Sequence, residues 1–162
     1  MKRVMSVAVL TLVVMIGCGK KKEEVIAEKI IENATGNKVN VDLENNSMNI
    51  ETKDGKMSVQ TGKSAKIPDT FPSDVFIFEP ADVEMAMEMG MGYTIALKTP
   101  KDIATVTAAY KKNMVKQGWD QKAAMDMGEN TTLMYEKGKR VTNVTVGQED
   151  GETRIALTVV SN

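Results

Sequence analysis

Three consecutive nine-residue segments, Val39–Ser47 (VNVDLENNS), Met48–Lys56 (MNIETKDGK) and Met57–Ala65 (MSVQTGKSA), each open with an apolar, a polar and an apolar residue. Side chains alternate across a strand but recur every 3.6 residues on a helix, so a period of two buries one face only in a strand. Asn45-Asn46-Ser47 and Asp54-Gly55 supply turn chemistry between the units. The stretch therefore predicts a three-stranded antiparallel meander. Its units lack the glycines and aspartate of calcium-binding nonapeptide repeats, so they imply no calcium site.

Ahead of the meander, Glu23 to Thr35 places Ala27, Ile30, Ile31 and Ala34 at helical spacing, with acidic residues in the first turn and Gly36 where a helix ends. This predicts a helix laid over the meander. After it, Ile67-Pro68-Asp69-Thr70-Phe71-Pro72 reads as an extended crossing, because proline fixes φ and turns its predecessor away from helix. Phe71, Phe76 and Phe78 are expected to pin that crossing to the body. The remainder predicts strands at Val83–Met89 and Tyr93–Thr99, a helix from Pro100 to about Gln117 stopped by Gly118, then strands near Thr132–Glu136, Val141–Val146 and Arg154–Val160. Ile103, Val106, Tyr110 and Met114 form the apolar stripe of that helix. The expected class is α+β, a helix with a three-stranded antiparallel meander followed by a ββαβββ antiparallel sheet with one helix across a face.

The amino terminus obeys different rules. Lys2 and Arg3 precede a 13-residue apolar run, Val4 to Ile16. As a helix this run spans about 20 Å, short of the roughly 30 Å of a bilayer core. A basic start and a short apolar run make an export signal rather than a membrane-spanning helix. The run ends in Met15-Ile16-Gly17-Cys18, which resembles the lipobox of bacterial lipoproteins. The resemblance implies cleavage after Gly17 and acylation of Cys18, the lone cysteine. Two or more acyl chains would hold the protein to a bilayer durably, since each buried CH₂ contributes about 0.8 kcal/mol. Gly19 after the cysteine resembles the class exported to the outer membrane of diderm bacteria, facing the periplasm. The expected division is then residues 1–17 signal peptide, 18–22 lipidated tether, 23–66 helix and meander, 67–80 linker and 81–162 the ββαβββ domain.

The chain has no histidine, and beyond Cys18 no cysteine. The Ser-His-Asp and Cys-His nucleophile arrangements and the usual zinc sets are therefore absent. Without Lys2 and Arg3, acidic residues exceed basic ones by three. Nothing in that balance calls for nucleic acid. Thr61-Gly62-Lys63-Ser64 imitates the tail of a phosphate-binding loop, but Gly55 is wrongly spaced and Ile67-Pro68 follows where a helix should begin, so no nucleotide is expected. Glu84 with Glu88, and Glu149 with Asp150, sit in no apolar surroundings that would suit them to proton transfer.

Two stretches remain open. Met85-Ala86-Met87-Glu88-Met89-Gly90-Met91, with Met125 and Met127 later, sets thioethers on one strand face. Core packing is the expected role, with Cu(I) or Ag(I) binding as the alternative, since thioethers are soft donors. Trp119 is expected to close the lower edge of the helix–sheet core. Pro100-x-Asp102, Tyr110-Lys111-Lys112 and Gly118-Trp119 resemble small uncharacterised domains common in bacterial lipoproteins, which implies the ββαβββ fold and no established activity. The expected function is a membrane-anchored envelope binding or assembly module with a protein partner, no catalytic residues and no cofactor.

Overall fold

A computed structural model describes residues 20–52 and 55–161. Helix α1 (Lys20–Thr35) leads into strands β1 (Lys38–Asp42), β2 (Ser47–Thr52) and β3 (Gly55–Thr61), and a 3₁₀ turn at Gly62–Ser64. An irregular segment, 65–81, precedes β4 (Asp82–Met89) and β5 (Gly92–Thr99). Helix α2 (Ile103–Lys116) follows, then β6 (Asp120–Asp126), β7 (Asn130–Lys137), β8 (Arg140–Glu149) and β9 (Glu152–Ser161). All strands pair antiparallel in a single nine-stranded sheet ordered β1-β2-β3-β4-β5-β9-β8-β7-β6. No described helix is long and apolar enough to cross a membrane.

The α+β class holds, while the finer arrangement is corrected. The carboxyl-terminal half is ββαββββ, with β6 added. That strand, DQKAAMD, lies at the sheet edge, and only Ala123 within it is even half-buried. A strand exposed on both faces needs no alternation, so its sequence carries no period-two signal. The meander is also joined to the second half, because β3 pairs with β4 from Met57↔Met89 to Thr61↔Met85.

Helix α1 is not laid over the meander but runs along the free edge of β1. The Val39 and Val41 N–H groups donate to the carboxylates of Glu32 (3.2 Å) and Glu28 (2.9 Å). Glutamates four apart on a helix are separated by about 6 Å, and N–H groups two apart on a strand by about 6.8 Å, so the spacings match. The pair closes an edge that would otherwise offer unpaired donors to another chain. Ile26 and Ile30 remain 58% and 46% exposed.

The core lies between α2 and the strands β5, β9, β8 and β7. Val106, Tyr110 and Met114 of α2 pack in one fully buried cluster with Ile95, Leu133, Val144 and Leu157. The helix starts at Ile103 rather than Pro100, because the Asp102 side chain accepts the Thr105 N–H at 2.8 Å and caps it. It stops where expected: Gly118 takes φ +83°, Gly118 N–H donates to the Val115 carbonyl and Trp119 N–H to the Met114 carbonyl.

The 65–81 segment makes two turns, at Pro68–Phe71 and Pro72–Val75, rather than a plain extended crossing. Val75 and Phe78 are buried in the core, and Phe76 meets Tyr110 edge-on at 5.2 Å. Asp74 fastens it. Its carboxylate accepts both Arg140 guanidinium nitrogens (2.8 and 2.6 Å) and Lys137 Nζ (2.7 Å), and its carbonyl accepts the Trp119 indole N–H. Arg140 also lies over the Trp119 ring at 5.0 Å. The hydrogen bonds from Arg140, reinforced by Lys137, hold the Asp74 carboxyl well below its ordinary value of 3.8 against an opposing effect of burial. A depressed acid stabilises the fold above its unfolded pKa and loses that contribution as pH falls below about 4. Asp74→Ala is therefore expected to cost about 2–4 kcal/mol in urea unfolding at pH 7, since it strands two cations. The gap from wild type should shrink as pH is lowered from 5 to 2.

Candidate binding cleft and methionine face

The two halves of the sheet bury opposite faces. On the α2 side, one register row reads Asp42, Ser47, Gln60, Ala86, Ile95, Leu157, Val144, Leu133, Ala124 from β1 to β6. It is apolar from β4 onward and polar before it. On the opposite side the neighbouring row reads Val41, Met48, Val59, Met87, Thr94, Thr158, Asn143, Met134, Ala123, so an unbroken apolar run falls on β1 to β4 instead. A third row adds Val39, Ile50, Met57 and Met89 to that side. The result is an apolar face, rich in methionine, turned away from α2. Val39 is buried beside α1, whereas Met48, Ile50, Met57, Val59, Met85 and Met87 are half-buried and Met89 is 40% exposed.

At one end of β3 and β4 the sheet splits. Pairing between β3 and β4 stops at Met57↔Met89, while the β2–β3 hairpin continues through Glu51 and Lys56, and β4 continues into the turn at Gly90 and Met91. A cleft of about 610 Å³ lies there. Ile50, Met57 and Met89, whose side chains belong to the other side of the sheet, and Met91 border it. Asn49, Ser58, Glu88 and Tyr93, successive members of one row on the α2 side, supply its polar wall, with Arg140 and Pro72 beyond them.

Short contacts hold the cleft in shape. Tyr93 Oη donates to the Thr70 carbonyl (2.9 Å), Thr70 Oγ1 donates to Glu88 (3.0 Å), and Phe71 meets the Tyr93 ring edge-on at 5.4 Å. Ser161 N–H donates to the Met91 carbonyl at 3.0 Å. Gly92 permits this closeness, since a Cβ there would stand 2.1 Å from the Val159 carbonyl oxygen. On the outer hairpin Lys56 and Glu51 pair at 2.9 Å, which lowers the Glu51 pKa and raises that of Lys56. No group of three or more His, Cys, Asp or Glu residues among the described residues could hold a metal ion.

Cys18 and Gly17 lie outside the described residues. Met85, Met87 and Met89 do share one face, but core packing is not their role, because Ala86 between them is the residue in the core. Met57, which sequence reading treats only as a strand position, joins them through its pairing with Met89. Met125 and Met127 sit on and after β6, at the other edge of the sheet, and take no part. Trp119 is 1% exposed and closes the core as expected. Gly62–Ser64 forms a 3₁₀ turn whose Ser64 hydroxyl donates to the Asn45 carbonyl, with no helix N-terminus to receive phosphate. Glu84 and Glu149 both pair with Arg154, at 3.3 and 2.6 Å. The Asp74 cluster went unseen, since 63 and 66 residues separate its acid from its bases. Graded exposure of the thioethers sets an order of reactivity. Limited peroxide followed by peptide mass spectrometry is expected to oxidise Met91 (76% exposed) and Met127 (67%) first and Met114 (0%) last.

A family model described as START domain-like matches residues 82–151, from the first residue of β4 to the β8–β9 turn. No curated protein and no solved structure matches the chain. Over less than half of its length, then, this chain is similar to START domain-like proteins, and α1, the meander and β9 lie outside the match.

Proposed function

We propose that this protein is a non-catalytic binding module of the bacterial envelope, anchored by a lipidated Cys18 and engaging an apolar segment of a protein partner through the methionine face. The observation that carries the reading is the reversal of the buried face at β4, which leaves Met48, Ile50, Val59, Met85 and Met87 outside the α2 core. A sheet face with no partner would be expected to be polar, as it is along the row of Thr94, Thr158 and Asn143 that continues the Met87 row. Unbranched thioethers adapt to irregular apolar partners better than β-branched side chains do. Similarity to START domain-like proteins supports a binding role, since such domains are generally binding modules.

The anchor rests on Gly17-Cys18 after a short apolar run, and Gly19 favours the periplasmic leaflet of the outer membrane in a diderm cell. Lys20 follows the acylated residue by two positions, a reach of about 7 Å, so the anchor would keep α1 close to the bilayer. Metabolic labelling with a fatty acid is expected to mark the wild type and not Cys18→Ser. Crosslinking in native membranes should recover a partner with the wild type and lose at least 90% of it with Met48→Lys/Met87→Lys, while the label at Cys18 is retained. A labelled double variant that still captures the partner would remove the methionine face from the proposal.

A further inference from the structure

We propose that α1 lies flat on a bilayer surface through Val25, Ile26 and Ile30, and so stands the sheet on its β1 edge. These three aliphatic side chains are 46%, 58% and 46% exposed. The contacts that hold the helix fix their direction. Glu28 and Glu32 accept the Val41 and Val39 N–H groups, so those two positions face β1. Ile26 and Ile30 each come two residues earlier, and two residues turn a helix by about 200°, so both point away from the sheet. Between Val25 and Asn33 the other exposed described residues are Lys29 and Asn33. The outward face is therefore aliphatic, with one basic group and no carboxylate among the described residues.

Chain position selects lipid as the occupant, and here the inference rests on the acylated Cys18 proposed above. Only Gly19 separates that residue from α1, so Val25 lies within about 15 Å of the acyl chains and Ile30 within about 22 Å. No described helix is long and apolar enough to cross a membrane, whereas a helix with an apolar stripe beside lysines rests in the headgroup layer. Apart from the two glutamates turned to β1, the helix has four lysines and two glutamates, a balance that suits anionic headgroups. Acyl chains already hold the protein at the surface, so the helix needs only a weak affinity of its own. Because α1 lies beyond β1, this contact puts β6 at the far side of a sheet about 40 Å across. The methionine face and the cleft then stand beside the membrane and not against it.

The test puts a tryptophan reporter on the helix. The full chain is purified from membranes of the expressing cells and reconstituted in phosphatidylcholine–phosphatidylglycerol vesicles that carry a doxyl-labelled phospholipid. Trp119, the only native tryptophan, is 1% exposed in the core and supplies the background. Ile26→Trp is expected to be quenched at least about threefold more than that background. Met127→Trp, after β6 and 67% exposed in the native chain, should show background quenching alone. Adding Val25→Gln/Ile30→Gln to the Ile26→Trp chain should remove at least about half of the quenching and leave the urea midpoint unchanged, since both positions are exposed. Background quenching at Ile26→Trp, equal quenching at Met127→Trp, or quenching unmoved by Val25→Gln/Ile30→Gln overturns the proposal. Fatty-acid label at Cys18 is read on the same samples. Label with background quenching keeps the anchor and removes the helix contact. Quenching without label upholds the helix contact and removes the acyl anchor, and the absence of both overturns both.

Discussion

Helix α2 has 14 residues, so it is about 21 Å long and roughly 10 Å wide, whereas nine strands at about 4.8 Å spacing extend close to 40 Å. One helix cannot cover such a sheet, and most of the architecture follows from that mismatch. Beneath α2 the strands β5, β9, β8 and β7 bury a close-packed core. Farther out, on β1 to β3, the α2 side turns polar and the apolar residues move to the other side. A sheet that buried the same face throughout would have left its amino-terminal half with an unshielded apolar surface beside the core, facing the groove that Asn49, Ser58 and Glu88 now line. The reversal is absorbed at β4, where Ala86 enters the core and Met85 and Met87 face away. A register shift between Val83 and Met85 sits in the same strand.

The 65–81 segment completes the cover that α2 cannot provide, and besides its buried Val75 and Phe78 it is tied by Asp74 to the β7–β8 turn and the end of α2. That cluster joins three parts of the chain through one carboxylate with two cationic partners. Its side chains are about a third exposed, so water screens it in part, but the bidentate Arg140 geometry and the Trp119 ring beneath it restrict the alternatives. Phe71 and Tyr93 then fix the far end of the segment against the cleft, so the fastening of the core and the shape of the candidate site are continuous. Each edge of the sheet is treated differently as well. Glu28 and Glu32 seal β1, while β6 carries a register shift between Gln121 and Ala123 and the charged Lys122, both of which discourage further pairing.

In the proposed function, anchoring and recognition fall on different parts of the chain. The proposed lipid anchor lies at the start of α1, the methionine face spreads over β1 to β4, and the similarity to START domain-like proteins begins only at β4.

Sequence alone determined what depends on neighbours within a few residues. The period of two specified β1 to β3 and the half-buried strands of the second half, and the 3.6 period and Gly118 specified α2 and its end. It did not reveal β6, which is exposed on both faces and so has no alternation to display. It placed Met85, Met87 and Met89 on one face but could not say which, since a strand's pattern is the same whichever side is buried. Only the tertiary structure decided that α1 seals an edge instead of covering a face, that β3 joins β4, and that Met57 meets Met89. It alone brought Asp74 to Arg140. Those outcomes depend on pairings between residues tens of positions apart, which are selected by the packing of the whole sheet and leave no local mark on the chain.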